Sequence, residues 1–168
     1  TKVYSNNKII DINENTHVDD KLLQLLTYGV LCNDTKVNLN EENEYTKIGD
    51  PTEVAFIDLA ITLNHNPIEI FTNNPRISEL PFDSERKLMT TVHDFGNKRY
   101  AVIKGAPDVM LRRSVESKKS IKDYENANLM MTSEALRVLA VGYKEIDPTL
   151  PLDKLTHAYL EHDITLIG

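Results

Sequence analysis

Lys104 closes a short apolar run, Tyr100-Ala101-Val102-Ile103, and is followed at once by Gly105-Ala106-Pro107-Asp108. The run reads as a buried strand. Gly105 breaks it, and Ala106-Pro107 opens a helix with Pro at an early position, where its missing N–H costs nothing. A lysine at the end of a strand then faces a helix N-terminus, beside a glycine that lets a ligand approach the backbone. That set of groups suits an anion, although a solvated lysine at a strand–turn–helix corner fits these residues at least as well. Phe82 follows Pro81 and precedes the polar run Asp83-Ser84-Glu85. By composition it belongs in a core; as an exposed ring it could stack on a nucleobase. Glu53 stands at N3 of a helix start, Asp50-Pro51-Thr52-Glu53, and can be read as the return half of a capping box.

The elements that must position these groups follow from pattern. Strands are expected over Ile77–Phe82, from Lys87 to Phe95, and in the run ending at Lys104, with Gly96-Asn97 as a turn. Three consecutive antiparallel strands bring Phe82, Lys87 and Lys104 near one another. A largely buried helix spans Val18–Leu31, capped by Asp19 or Asp20, and a second runs from Asp50 to about Leu63. Val3-Tyr4 and Lys8-Ile9-Ile10 form a hairpin. Asn33–Lys47 reads as an exposed acidic loop, and Asn64–Asn74, with two Asn-Pro pairs, as another loop. A basic stretch over Arg112–Lys122 precedes a helix at Asp123–Leu136, with Leu129, Met130, Met131, Ala135 and Leu136 as its apolar mass. Arg137 then lies at a helix-to-strand junction before a buried strand, Val138–Tyr143. The fold expected is α/β in the α+β sense, a mostly antiparallel twisted sheet flanked by helices, in a single domain over residues 1–168.

Composition removes several functions. The chain has 168 residues, is 40% hydrophobic and carries a net charge of −7 with pI near 5.2, which disfavours nucleic acid and anionic membrane as partners. Cys32 is the single cysteine, so no intramolecular disulfide can form. The six glycines produce neither a P-loop nor a dinucleotide fingerprint, no Ser lies in a G-x-S-x-G elbow, and no His or Cys spacing suits zinc. No metal site and no catalytic residue is assigned. Asn33-Asp34-Thr35 matches a glycosylation acceptor and is taken as chance. No apolar run reaches the length of a membrane span. The strand-like ends, Thr1–Ser5 and Asp163–Gly168, read as cuts from something larger.

Gly49-Asp50-Pro51-Thr52-Glu53, Pro81-Phe82-Asp83-Ser84-Glu85-Arg86-Lys87 and Lys104-Gly105-Ala106-Pro107-Asp108 occur in that order. Together they resemble the nucleotide-binding domain of type II P-type cation-transporting ATPases, whose patterns are G-[DE]-x-T-E, P-F-[DNS]-S-x-[RN]-K and K-G-A-[PS]-[ED]. Leu31-Cys32-Asn33-Asp34 and Leu136-Arg137-Val138-Leu139-Ala140 also look like family segments, so the resemblance covers nearly the whole chain. It implies ATP as ligand (Mg-ATP in the full pump), bound by Glu53, Phe82, Ser84, Lys87, Met89, Lys104, Gly105 and Arg137. Phe82 would stack on adenine, Glu53 would accept a hydrogen bond from its amino group, and Lys104 would line the pocket floor. Lys87 and Arg137 would neutralise phosphates. Some calcium pumps carry arginine where Ser84 stands, and Arg86 would partly substitute for it. The family's D-K-T-G-T and G-D-G-x-N-D motifs are absent, so this chain should bind ATP without hydrolysing it. The implied partners are the phosphorylation and actuator domains of a membrane pump, with the domain on the cytoplasmic side and monomeric by itself. Calcium is the favoured ion, another cation (Na+/K+ or H+) the alternative, and a non-nucleotide interaction module the rival class. With other cations around it, Lys104 should react faster with amine-directed electrophiles than Lys118 or Lys119.

Overall fold

A computed structural model describes Thr1–Gly168 throughout. The centre is a five-stranded antiparallel sheet: β5 (Arg76–Asp83), β6 (Leu88–Phe95), β7 (Lys98–Gly105), β8 (Ala140–Ile146) and β9 (Thr165–Leu166), adjacent in that order. Gly96, at φ +66°, takes the first place of the two-residue turn between β6 and β7. Past β9, pairing to β8 continues through Ile167 N–H to Val141 O (2.9 Å) and Val141 N–H to Gly168 O (2.8 Å). Two separate hairpins complete the strands: β1 (Lys2–Ser5) with β2 (Lys8–Asp11), and β3 (Lys36–Leu39) with β4 (Tyr45–Ile48).

Alternation along the central strands gives the sheet two apolar faces. On one, Met89, Val102 and Val141 join a core built by α1 (Asp20–Leu31) and α2 (Pro51–Thr62). On the other, Leu88, Val92, Ala101 and Ile103 pack with α4 (Pro107–Arg112) and with Leu155, Leu160 and Ile164 of the C-terminal segment. That segment holds a 3-10 turn (Leu152–Lys154) and the short α6 (His157–Leu160). The expected architecture, mixed helices on an antiparallel sheet, is the one observed. The helix caps also follow the sequence: Asp19 accepts from Leu22 N–H at 2.9 Å and Asp50 from Thr52 N–H at 2.8 Å.

Three local expectations are corrected. Asn64–Asn74 is not all loop, because α3 (Pro67–Asn73) forms with Asn66 as its N-cap, accepting from Ile68 N–H at 3.0 Å. The residue before a proline avoids helical φ/ψ, and an N-cap must avoid it too, so Asn-Pro is a helix start. Asn33–Lys47 is the β3–β4 hairpin, turned by Asn40, whose Oδ1 accepts from the N–H groups of Glu42 and Glu44. The helix placed at Asp123–Leu136 is α5 (Lys118–Ser133), capped by Ser117, so Lys118, Lys119 and Lys122 are helical. Of the apolar mass assigned to it only Met131 is buried; Leu129 and Met130 are exposed. Its C-terminus closes with Leu136 N–H on Met131 O and Ala135 N–H on Thr132 O, which requires Ala135 at φ +60°.

Candidate functional site

The register Leu88↔Gly105↔Ala140 sets one end of the sheet. There the β5–β6 turn, the β7–α4 corner and the α5–β8 connection come together. The turn is held by Asp83, whose Oδ1 accepts from Glu85 N–H (2.9 Å) and Arg86 N–H (2.8 Å). Those bonds, the Arg86 N–H first, hold its carboxyl below the ordinary aspartate range. Phe82 lies just before this turn and is 61% exposed, so the core reading of this ring fails. Ser84 and Lys87 are exposed on the turn, and Lys87 adopts φ +57°. Lys87 O in turn accepts from Ala106 N–H at 3.1 Å, which ties the turn to the β7–α4 corner.

Lys104 is on the sheet face away from α4. It lies opposite Met89 in register and 4% exposed, with Nζ 2.7 Å from Glu53 Oε1 and 5.5 Å from the Phe56 ring centroid. It therefore does not face the helix that follows it; it faces the first turn of α2. Its neighbour is a carboxylate and not a set of cations, which removes the basis for a hyper-reactive amine. A lysine this deep is held by its pairing, because an unpaired charge there would be strongly penalised. Glu53 is not the return half of a capping box. Its Oε2 accepts from Asp34 N–H at 3.2 Å, and its backbone carbonyl accepts from Asn33 Nδ2 at 2.8 Å. The side chain closes a tertiary contact in place of a local one.

Besides Lys104, two residues assigned to nucleotide contact are buried. Met89 is 1% exposed and is the cross-strand partner of Lys104, its carbonyl accepting from Cys32 Sγ at 3.4 Å. Burial pushes the Cys32 thiol up to about 11, with Lys104 nearby pulling the other way. Gly105 is buried, and a Cβ there would come within 2.2 Å of Lys87 O and 2.6 Å of Leu88 Cδ2. Its smallness permits the close approach of Lys87 and Leu88 to β7. Arg86 does not stand in for a phosphate-binding arginine at Ser84. It donates to the fully buried Glu161 (Nε–Oε2 3.1 Å) and to Pro81 O (2.9 Å), pinning the turn to the opposite core. Thr90 Oγ1 and Arg113 complete the shell of Glu161 at 3.0 and 3.4 Å.

Arg137 is exposed between α5 and β8. The Asp50 carboxyl is lowered, chiefly by hydrogen bonds from Thr52 and to a smaller degree by the charge of Arg137; Arg137, Pro51 and Thr52 line one cavity. That cavity, of about 520 Å³, runs behind α2 towards β1 and α5. Arg137, Thr52 and Phe56 line it; Glu53, Phe82 and Lys104 do not. It is an apolar space adjoining the polar cluster, and the cluster carries the groups that could read a ligand. That end of the sheet offers a carboxylate 18% exposed against a buried ammonium, the exposed ring of Phe82, and two exposed cations, Lys87 and Arg137. Asn33, Asp34, Arg76 and Phe56 also belong to this neighbourhood. Only Asn33-Asp34 had any signal in the sequence, as part of a family segment without a role.

Residues 21–168 match the family described as P-type ATPase, cytoplasmic domain N. The chain is similar to a calcium-transporting ATPase of Lactococcus lactis, 35% identical over 168 residues, covering 94% of this chain and 18% of that protein. A calcium-transporting ATPase of Listeria monocytogenes is 36% identical over 155 residues, covering 86% of this chain and 17% of that protein. A sodium/potassium exporting P-type ATPase of Schizosaccharomyces pombe is 31% identical over 170 residues, 94% of this chain and 16% of that protein. The chain thus spans less than a fifth of the length of these relatives.

Proposed function

The chain belongs to the family of P-type ATPase cytoplasmic N domains, and on that footing we propose that it is the ATP-binding domain of a cation-transporting pump. The observation that carries the reading is the Glu53–Lys104 pair, 2.7 Å apart, at the end of the sheet that also carries the exposed Phe82. Glu53 keeps lone pairs beyond the two bonds it accepts, which suits an amino group on a base. The Phe82 ring offers a stacking face to that base, and Lys87 and Arg137 supply charge for a phosphate chain. Met89 and Gly105, both buried, back the site from within the sheet. ATP, carried with magnesium in the whole pump, supplies a transferable γ-phosphoryl group. The acceptor motif D-K-T-G-T is not in this sequence, so the task of these residues is to hold and orient. The phosphorylation and actuator domains of the pump are then the macromolecular partners, and the domain works on the cytoplasmic side of the membrane, itself having no helix long and apolar enough to cross one.

Calcium is the favoured ion because the relatives of highest identity named above carry that name. The sodium/potassium exporter at 31% identity keeps a monovalent cation as a second reading. Titration of the isotope-labelled chain with ATP while following amide shifts tests the proposal. One stacked ring and a few exposed charges should give a Kd on the order of 1 mM, or about −4 kcal/mol. Shifts should centre on Glu53, Phe82–Lys87, Lys104–Ala106 and Arg137, with no phosphate released. Absence of shifts there, shifts confined to the apolar cavity behind α2, or hydrolysis by the pure chain would each overturn it.

A further inference from the structure

Arg76 opens β5 and lies outside every motif that pointed to the site, yet its guanidinium is the hub of the loop that holds Glu53. Its Nη1 donates to Asp34 Oδ1 at 2.8 Å and also to Glu79; its Nη2 donates to the carbonyl of Asn33 at 2.8 Å. Those two loop residues are the ones that grip Glu53. Asp34 N–H reaches Oε2 at 3.2 Å, and Asn33 Nδ2 reaches the Glu53 carbonyl at 2.8 Å. Asn33 is also locked from within, its Oδ1 accepting from Thr35 N–H at 2.8 Å. A carboxylate held on one oxygen by Lys104 and on the other by Asp34 is fixed in orientation, and Arg76 braces residues 33 and 34 behind the Asp34 contact. A planar fork can meet three acceptors on two segments at once; a lysine point charge cannot hold the same set rigidly.

We propose that Arg76 is a positioning residue for base recognition: through Asn33 and Asp34 it sets the orientation of the Glu53 carboxylate, and so the preference of the site for a base bearing an exocyclic amino group over one bearing an oxygen there. The inference rests on the reading of Glu53 as the carboxylate that faces the base. Arg76 itself touches no nucleotide. Its loss should therefore alter base preference and leave phosphate binding as it was, which a merely structural arginine would not do.

The test compares ATP with inosine triphosphate, which carries an oxygen in place of the adenine amino group, on the whole chain and its variants by amide-shift titration. The unmodified chain should favour ATP by about fivefold, the worth of one net hydrogen bond. Arg76→Gln should bring that ratio close to one, with the inosine nucleotide bound as before and the Asp34 amide resonance moved upfield as its bond to Glu53 is lost. Arg76→Lys, which keeps the charge and serves if Arg76→Gln does not fold, should lower the ratio at least twofold. A folded Arg76 variant that keeps the full ATP preference, or loses both nucleotides equally, overturns the inference and leaves the ATP-binding reading standing. An unmodified chain that binds both nucleotides equally removes Glu53 from the base, and this inference with it.

Discussion

Lys104 and Glu53 have to be considered as one unit, since the partly exposed carboxylate is the ion-pair partner of a buried ammonium. Reagents that acylate free amines should modify Lys104 far more slowly than the exposed Lys118 and Lys119 of α5. Peptide mapping after brief labelling checks this, and equal rates would mean that the pair opens readily. Lys104→Met should cost about 3 kcal/mol in chemical denaturation, because it leaves Glu53 partly buried without its cation. Phe82→Ala should instead leave stability nearly unchanged and weaken ATP, ADP and AMP by similar factors, since a stacked ring meets only the base. Arg137→Ala should weaken ATP more than AMP, and equal losses would remove it from the phosphates. Lys104, Glu53 and Phe82 were legible in the sequence because each sits in a short motif. Their geometry was not: Lys104 was read against the helix that follows it in the chain, whereas strand alternation turns it to the opposite face, towards α2. Arg76 left no trace, because a contact between residues 34 and 76 exists only after the sheet has formed.

At the scale of elements, starts and stops were mostly chemical signals with a plain mechanism. Asp50-Pro51 was legible as a helix start, and Asn66-Pro67 uses the same device for α3, although it reads as a breaker when proline is weighed alone. The α5 stop is different, since Ala135 holds a left-handed conformation that an alanine Cβ resists. Ala135→Gly should therefore stabilise the protein by about 1 kcal/mol, seen as a rise of about 3 °C in thermal midpoint. The β5–β6 turn depends on Arg86. Arg86→Ala strips the fully buried Glu161 of its nearer cation and should destabilise by about 3 kcal/mol, with Arg113 retaining part of the interaction. Arg86→Ala paired with Glu161→Gln should recover part of that loss. A variant that kept full stability but lost nucleotide would return Arg86 to the phosphate site.

For the whole molecule, acid sensitivity has two separate origins. His93 is buried between Asn74 O (2.8 Å) and Thr91 Oγ1 (2.9 Å), and burial foremost holds its pKa below the ordinary value of 6.5. The unfolded chain takes up this proton first as pH falls, so the contribution of neutral His93 is full above about pH 6.5 and declines below it. A second loss follows at lower pH, where Asp50, Asp83, Asp94 and Asp147, all lowered in the fold, become protonated. Urea midpoints measured from pH 7.5 to 5.5 should fall, and His93→Gln should flatten that slope. A slope unchanged by the substitution would place the sensitivity elsewhere.

The central sheet contributes one face to each of two cores, and that has a kinetic meaning. Each core holds β6 and β7 from its own side, so these central strands should open together, late in unfolding. Cys32 records that event from inside, being fully buried against Met89 and held far from its reactive thiolate form. Its modification by a thiol reagent should plateau with reagent concentration at the rate of global opening. Amides at the centre of β7 should exchange with solvent deuterium through that same opening, while those of the mostly exposed β3–β4 hairpin exchange long before.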